Sequence, residues 1–264
     1  MAGSHLEPRH RIVGVIHLPA LPGSALGGPS ASLGGILEGA RRDAAAYAEG
    51  GAHAVIVENF GDIPFASDSV SAATIAAMTL AVDAVRRASG LPVGVNVLRN
   101  DVLSAVAIAA MAGGSFVRAN VYIGAAVTDQ GLIEGRAHDV QVLIKALDAP
   151  ISVWADVDVK HAASLAERPI GDLAEDAVRR GLARAVIVTG KSTGDPTAKT
   201  DLEHVRQSLP DTPIYVGSGA TPGCIPSLLE IADGAIVGTA AKHDGIVTNP
   251  VNVHRVRALV GAAG

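Results

Sequence analysis

The chain has 264 residues, of which 48% are hydrophobic and 18% are charged, and its formal net charge is -5. This modest charge, with Lys and Arg dispersed along the chain, excludes the basic surface of a nucleic-acid-binding protein. No stretch approaches the roughly 18 apolar residues of a membrane span, no signal-peptide pattern opens the sequence, and a single cysteine, Cys224, excludes an internal disulfide framework. We therefore expect a cytoplasmic protein, and the apolar composition favours a homo-oligomer.

The domain organisation is predicted from the length and from the start of the periodic pattern. Residues 1–10 (MAGSHLEPRH) carry no such pattern and are interpreted as a tag or a disordered terminus, so His5 is left out of any metal argument. Residues 11–264 suit one α/β barrel, which typically occupies about 250 residues. We expect one domain without an internal linker.

Eight short apolar segments rich in β-branched residues follow one another along residues 11–264. They are RIVGVIHL (11–18), AHAVIVEN (52–59), PVGVNVL (92–98), SFVRANV (115–121), ISVWADVDV (151–159), RAVIVTG (184–190), PIYVGSG (213–219) and GAIVGT (234–239). Ala- and Leu-rich segments of helical periodicity lie between them. Strands this apolar are typical of a parallel sheet buried on both faces, and eight such units predict a (β/α)8 TIM barrel. An open doubly wound sheet is the alternative, but GVIHLPALPG stands where a GxGxxG turn would follow the first strand.

Polar side chains occur near the carboxyl ends of six predicted strands. Because alternate residues of a barrel strand face the lumen, we expect these side chains to converge at one end of the barrel. The set is His17, Glu58 with Asn59, Asn96, Arg118 with Asn120, Asp156 with Asp158 and Lys160, and Thr189. Buried charges without partners are costly, so the set predicts a functional site. The alternatives are a structural ion pair of Asp156 and Asp158 with Arg118 or Lys160, and a scaffold role for His17.

Two glycine-rich turns follow the seventh and eighth predicted strands, GSGATP (217–222) and GTAA (238–241). Glycines let backbone N–H groups approach an anion closely, and barrels of this kind often hold a phosphate at these two turns. Tight turns alone would also use glycine, so the phosphate site is a hypothesis. Its predicted residues are Gly190, Gly217, Ser218, Gly219, Gly238 and Thr239.

Several long motifs of the chain resemble one known family. GVIHLPALPGS, VIVENFGDIPF, PVGVNVLRND, TDQGLIEGRAHD, ADVDVKHA, VIVTGKSTGDP, VGSGATP and GAIVGTAAKHDGIVTNPV closely resemble the BtpA family, in the same order along the chain. The resemblance implies a phosphate-binding barrel. The family is named for a photosystem I biogenesis factor but has members in organisms without photosynthesis, so the resemblance implies either an assembly role or an enzyme of sugar or nucleotide phosphates. Asp158 and Tyr122 depart from the residues expected in many relatives.

The first function weighed is an enzyme acting on a phosphorylated sugar or nucleotide-like molecule, as a hydrolase, lyase or isomerase. Asp156 or Glu58 would act as acid or base, Lys160 or His17 would be its partner, and Asp158 lies beside them. Paired carboxylates suit glycosidic cleavage, and a lysine suits Schiff-base chemistry. The predicted substrate-binding residues are Asn59, Asn96, Arg118, Asn120 and Thr189. No cofactor is assigned; a divalent ion remains open because carboxylates and His17 are suitable ligands, although HExxH and CxxC spacings are absent.

The second function weighed is a non-catalytic assembly factor for a membrane protein complex. It predicts an exposed apolar patch, which the sequence does not indicate, and a dead enzyme that senses phosphorylated metabolites is a third alternative. The loop with Asp62 and Phe65 and the segment 128–139 are rich in Gly and polar residues, which predicts a lid. The KSTGDP loop (191–196) and the KHDG turn (242–245) are expected either to touch substrate or to face solvent, and Lys191 and Lys242 are not assigned a catalytic role.

Overall fold

A computed structural model describes residues 11–28, 32–157, 162–165, 168–190 and 199–264. Its strands, in chain order, are β1 (Ile12–His17), β2 (Ala54–Glu58), β3 (Val93–Asn96), β4 (Phe116–Ala119), β5 (Ala125–Thr128), β6 (Gly131–Glu134), β7 (Ser152–Val157), β8 (Ala162–Ser164), β9 (Ala185–Val188), β10 (Ile214–Val216) and β11 (Gly234–Val237). Eight of them are parallel and close into a barrel in the order β1-β11-β10-β9-β7-β4-β3-β2. The predicted (β/α)8 barrel is thus confirmed.

Helices alternate with the barrel strands along the described chain. They are α1 (Leu33–Glu49), α2 (Ala72–Ser89), α3 (Val102–Ala112), α4 (Ala137–Ala146), α5 (Ile170–Glu175), α6 (Lys199–Ser208), α7 (Ile225–Leu228) and α8 (Val253–Ala263). Side-chain oxygens of Ser71 and Asp101 accept backbone N–H groups at the starts of α2 and α3. Both helices end at glycines with positive φ, Gly90 and Gly113, which stop the helix before the next strand.

The barrel strands are buried on both faces because their two sets of side chains enter two different cores. Alternate residues such as Val55, Val57 and Ala155 pack against the surrounding helices. The other set fills the lumen and consists of Val13, Val15, Ala54, Ile56, Phe116, Trp154, Ala185, Ile187, Tyr215 and Ile236. Phe116, Trp154 and Tyr215 stack in series with ring centroids 4.1 Å apart. This apolar filling leaves the polar strand ends as the open end of the lumen.

A small antiparallel sheet, in the order β6-β5-β8, lies outside the barrel. It includes most of the segment 128–139 that the sequence predicts as a lid, and α4 begins within the same segment at Ala137. Val127 and Leu132 lie opposite each other on β5 and β6, with 45% and 54% of their surfaces exposed. β5 and β6 therefore form a regular hairpin that carries an apolar pair at the surface.

No helix in the described part of the chain combines the length and the apolar composition required to cross a membrane.

Candidate functional site

A cavity of about 320 Å³ opens at the carboxyl ends of the barrel strands. The strand register places three of its polar residues side by side, because His17 pairs with Glu58 and Glu58 pairs with Asn96 across neighbouring parallel strands. The same cavity is lined by Arg118 and Asn120 and by both glycine-rich turns. Residues from opposite sides of the barrel therefore meet in one space, at the end of the barrel where enzymes of this fold carry their active sites.

Glu58 is a buried carboxylate on the wall of this cavity. Asn96 Nδ2 donates a hydrogen bond of 2.8 Å to Glu58 Oε2 and fixes the carboxylate in position. The imidazole of His17, next in the row, packs against Phe60 with ring centroids 4.6 Å apart. A carboxylate fixed by a neutral donor and lying beside an imidazole is an arrangement able to move a proton to or from a ligand.

Asp156 lies behind the cavity wall. Its two carboxylate oxygens accept hydrogen bonds from Arg118 Nε and Nη2 at 3.1 and 3.0 Å, and one of them also accepts 2.6 Å from Asn120 Nδ2. The side chains of Arg118 and Asp156 are 6% and 0% exposed. Asp156 therefore has the contacts of a structural ion pair, which was the alternative interpretation of the sequence. Arg118 and Asn120 line the cavity, whereas Asp156 does not.

Arg99 also lines the cavity, although the sequence analysis did not select it. Burial lowers its pKa, and the negative charges of Asp156, Asp129 and Glu58 offset this only in part. Burial also lowers the pKa of Arg118, but Asp156 and Glu58 raise that pKa by more, so it lies above its ordinary value. Arg99 directly follows the predicted strand segment 92–98 in the motif VLRND, and this position was the available signal.

Asn59 does not line the cavity, because consecutive strand residues point to opposite sides. Its Oδ1 accepts a hydrogen bond of 2.7 Å from Leu98 N, and its Nδ2 donates to Asp62 Oδ2 at 3.1 Å. Asp62 Oδ1 in turn accepts 2.7 Å from Leu21 N. Asn59 therefore connects three loops at the mouth of the barrel. Its predicted contact with substrate is not supported by this position.

The two glycine-rich turns follow β10 and β11, which are neighbouring strands of the barrel, and both turns line the cavity. Gly217, Ser218, Gly219, Gly238 and Thr239 line it, whereas Gly190 and Thr189 do not. Gly190 N instead donates 2.9 Å to Ser218 Oγ. Within the described part of the chain, the N–H groups of Gly219 and Ala220 donate to no acceptor. These two donors are thus available at a position where an anion is expected.

Glycine is required at two of these positions by close contacts. A Cβ on Gly217 would lie 2.4 Å from Thr189 Cγ2, and a Cβ on Gly238 would lie 2.7 Å from His17 Cε1. Any side chain at Gly238 would therefore push the imidazole of His17 from its place beside Glu58.

Two predicted catalytic residues, Asp158 and Lys160, lie outside the described residues, as do Lys191 and the terminal segment 1–10. Among the residues that the structure describes, no group of three His, Cys, Asp or Glu side chains is arranged to hold a metal ion. Of the proposed ligands that the structure describes, His17 and Glu58 line the cavity and Asp156 does not, so the described residues give a divalent ion no complete set.

His243 and Asp244 of the KHDG turn are exposed to solvent, but Lys242 neither faces solvent nor lines this cavity. It is almost fully buried, and its Nζ donates 2.6 Å to Asp43 Oδ2 on α1. Asp43 Oδ1 accepts 2.9 Å from Val251 N. Tyr122 is likewise buried away from the cavity, where Gln141 Nε2 donates 2.9 Å to its hydroxyl.

A family model described as the BtpA family matches residues 9–264. The chain belongs to the BtpA family. Its relatives include an uncharacterized protein of Thermococcus kodakarensis, 44% identical over 97% of this chain and 95% of the relative. The Photosystem I biogenesis protein BtpA of Synechocystis sp. is 41% identical over 97% of this chain and 88% of its own.

Solved structures similar to this BtpA-family chain share its barrel. (S)-3-O-geranylgeranylglyceryl phosphate synthase from Thermoplasma acidophilum, in complex with sn-glycerol-1-phosphate, superposes with a TM-score of 0.61 at 16% identity, covering 97% of this chain and 93% of that one. Thiamine phosphate pyrophosphorylase from Pyrococcus furiosus gives 0.58 at 13% identity, covering 96% and 95%. At such identities the likeness shows the fold alone.

Proposed function

We propose that this protein is an enzyme that acts on a phosphorylated small molecule, a sugar phosphate or a nucleotide-like compound. The observation that carries the proposal is one cavity that is lined both by Glu58, at the end of β2, and by the two glycine-rich turns that follow β10 and β11. Glu58 supplies a group for proton transfer, and the turns supply donors for an anion. The volume of about 320 Å³ lies at the lower end of ligand pockets, which suits a compact metabolite.

The phosphate would be held by the turns at 217–221 and 238–240. The available N–H groups of Gly219 and Ala220 would donate to its oxygens. Similar barrels whose names mention phosphate compounds support this position by analogy of fold alone. A ligand anchored there would extend over the row of His17, Glu58 and Asn96.

Glu58 is the acid or base in this proposal, with His17 as its partner. Asp156 is not assigned a proton-transfer role, because three hydrogen bonds from Arg118 and Asn120 occupy its oxygens. Glycosidic cleavage and isomerisation both require such a group beside the reacting carbon. A Schiff-base reaction would depend instead on Lys160.

The anion site is tested with Thr221→Asp, which adds a negative charge at an exposed residue on the cavity wall. Ser227→Asp is the matched control, since it adds the same negative charge at an exposed position on α7 away from the cavity. Inorganic phosphate and ribose 5-phosphate are titrated into each protein by calorimetry. We expect Thr221→Asp to weaken both ligands at least tenfold and Ser227→Asp to leave them unchanged. Equal affinities in the two variants would contradict the proposed anchor.

The proton-transfer role is tested with Glu58→Gln. The glutamine oxygen can still accept the hydrogen bond from Asn96, so the fold is retained while the ionisable group is lost. With a phosphorylated compound that the wild type turns over, we expect kcat to fall by about 10²–10⁴-fold, with binding changed little. A variant that retains wild-type kcat would remove Glu58 from the chemistry.

A non-catalytic assembly role is the alternative, and two observations favour it. The Synechocystis relative is named for photosystem I biogenesis. Val127 and Leu132 also form an exposed apolar pair on the small sheet. An assembly factor would depend on that surface and would be indifferent to Glu58. Replacing Val127 and Leu132 by Ser, and Glu58 by Gln, in a host that depends on the protein therefore separates the two functions by which variant fails.

A further inference from the structure

The amide of Asn120 has an orientation that its neighbour determines. Asn120 Nδ2 lies 2.6 Å from Asp156 Oδ2, and an ionised carboxylate only accepts hydrogen bonds. The NH₂ group must therefore face Asp156, and the oxygen must point away from it. Because the same carboxylate is also held by Arg118 through two hydrogen bonds, Asn120 cannot turn without losing a strong, charge-assisted contact.

The oxygen of this amide, Oδ1, is a buried acceptor without a hydrogen-bond partner among the residues that the structure describes, and Asn120 is only 4% exposed. Buried polar atoms are almost always paired, since leaving one unpaired costs free energy. The side chain lines the cavity, so a ligand in that cavity is the natural source of the missing donor.

Asn120 also lies at the far side of the barrel from the proposed phosphate site. It directly follows β4, and in the closed strand order β4 is four strands from β11 in either direction. A ligand whose phosphate lies at the turn 238–240 would therefore reach Asn120 with its opposite end. Arg99 and Arg118 line the same cavity and bring positive charge to it.

From this arrangement we infer that Asn120 determines specificity: it accepts a hydrogen bond from an O–H or N–H group at the end of the substrate remote from the phosphate. This inference rests on the proposed function and narrows its substrate class. Arg99 and Arg118 bring positive charge to the same cavity, which favours a ligand end that carries an acceptor next to its donor. Sugar hydroxyls have this chemistry, and so does the N–H of a nucleobase next to its carbonyl group.

The test compares the wild type with Asn120→Leu, which keeps the approximate size of the side chain and removes the acceptor. Inorganic phosphate, ribose 5-phosphate and uridine 5′-monophosphate are titrated into both proteins by calorimetry. We expect inorganic phosphate to bind both proteins equally. At least one of the two organic phosphates should bind the wild type tenfold tighter than inorganic phosphate and lose at least tenfold in the variant. Loss for ribose 5-phosphate indicates a hydroxyl donor, and loss for the nucleotide alone indicates a donor that is in reach only when the base is present.

A second measurement uses the wild type alone and therefore does not depend on the folding of the variant. Ribose 5-phosphate is compared with 2-deoxyribose 5-phosphate, and uridine 5′-monophosphate with its N3-methyl derivative. The inference is supported if the modified compound of either pair binds at least tenfold more weakly than its parent compound. If organic phosphates bind no tighter than inorganic phosphate, or if Asn120→Leu loses nothing, the inference is wrong while the phosphate anchor stands. If inorganic phosphate itself fails to bind, the proposed function fails first.

Discussion

Removal of the Asp156 charge is predicted to destabilise the barrel strongly. In Asp156→Asn the new side chain has one acceptor oxygen and one NH₂ group, while three donors from Arg118 and Asn120 point at this position. At least one donor would face another donor. The charge of Arg118, whose side chain is 6% exposed, would also lose its buried counter-ion. Removal of one partner of a buried ion pair typically lowers the free energy of unfolding by about 3–5 kcal/mol, which is a large fraction of the stability of most domains.

The assay is equilibrium unfolding in urea, in which a loss of stability lowers the transition midpoint without changing the slope. Asp139→Asn is the control, because its pair with Arg136 is exposed to solvent and is expected to contribute little. The double variant Arg118→Met/Asp156→Leu removes both charges and should recover most of the loss. A midpoint for Asp156→Asn equal to that of Asp139→Asn would refute the interpretation of Asp156 as the buried partner of Arg118.

Three further predictions concern the packing around Tyr47 and Lys242. Gly14→Ala places a Cβ 2.4 Å from the Tyr47 ring, so its melting temperature should fall by several degrees, as measured by calorimetry. Burial, and then the charge of Asp43, raise the pKa of Tyr47 in the folded protein. The neutral Tyr47 side chain therefore contributes its full stabilisation below about pH 10, the ordinary pKa of tyrosine. This stabilisation is lost as the pH rises above that value. The unfolding free energy of Tyr47→Phe should accordingly fall less steeply between pH 9 and pH 11 than that of the wild type, and equal slopes would contradict this. Lys242→Met leaves Asp43 buried without its counter-ion, so urea unfolding should show a loss of about 3–5 kcal/mol that Lys242→Met/Asp43→Leu largely restores.

The barrel was predictable because its signal is repeated. Each of the eight apolar segments contains one observed barrel strand, and the segments of helical periodicity between them contain helices such as α2 and α3. The small sheet was not predictable in the same way. Its strands β5 and β6 have four residues each, and a short run of alternating residues cannot be separated from an irregular loop.

The sequence predicts which strands contribute residues to the candidate site, but it does not predict which side chains pair with one another. Alternation along a strand correctly placed His17, Glu58 and Asn96 on one face, and the same rule, applied strictly, would have separated Asn59 from Glu58. The contact of Asp156 with Arg118 joins residues 38 positions apart in the chain and depends on the register of β4 and β7. One sequence does not specify that register, nor does it show that Lys242 packs against Asp43 at a distance of 199 residues.

The central claim is that the cavity binds a phosphorylated molecule through the turns at 217–221 and 238–240. Crystals of the wild type soaked with ribose 5-phosphate test it most directly. The account predicts density for the phosphate group within hydrogen-bond distance of the N–H groups of Gly219 and Ala220, with the sugar extending toward Glu58 and Asn120. Ordered density for the compound outside this cavity, or a phosphate placed at the β4 side with no contact to either turn, would contradict it.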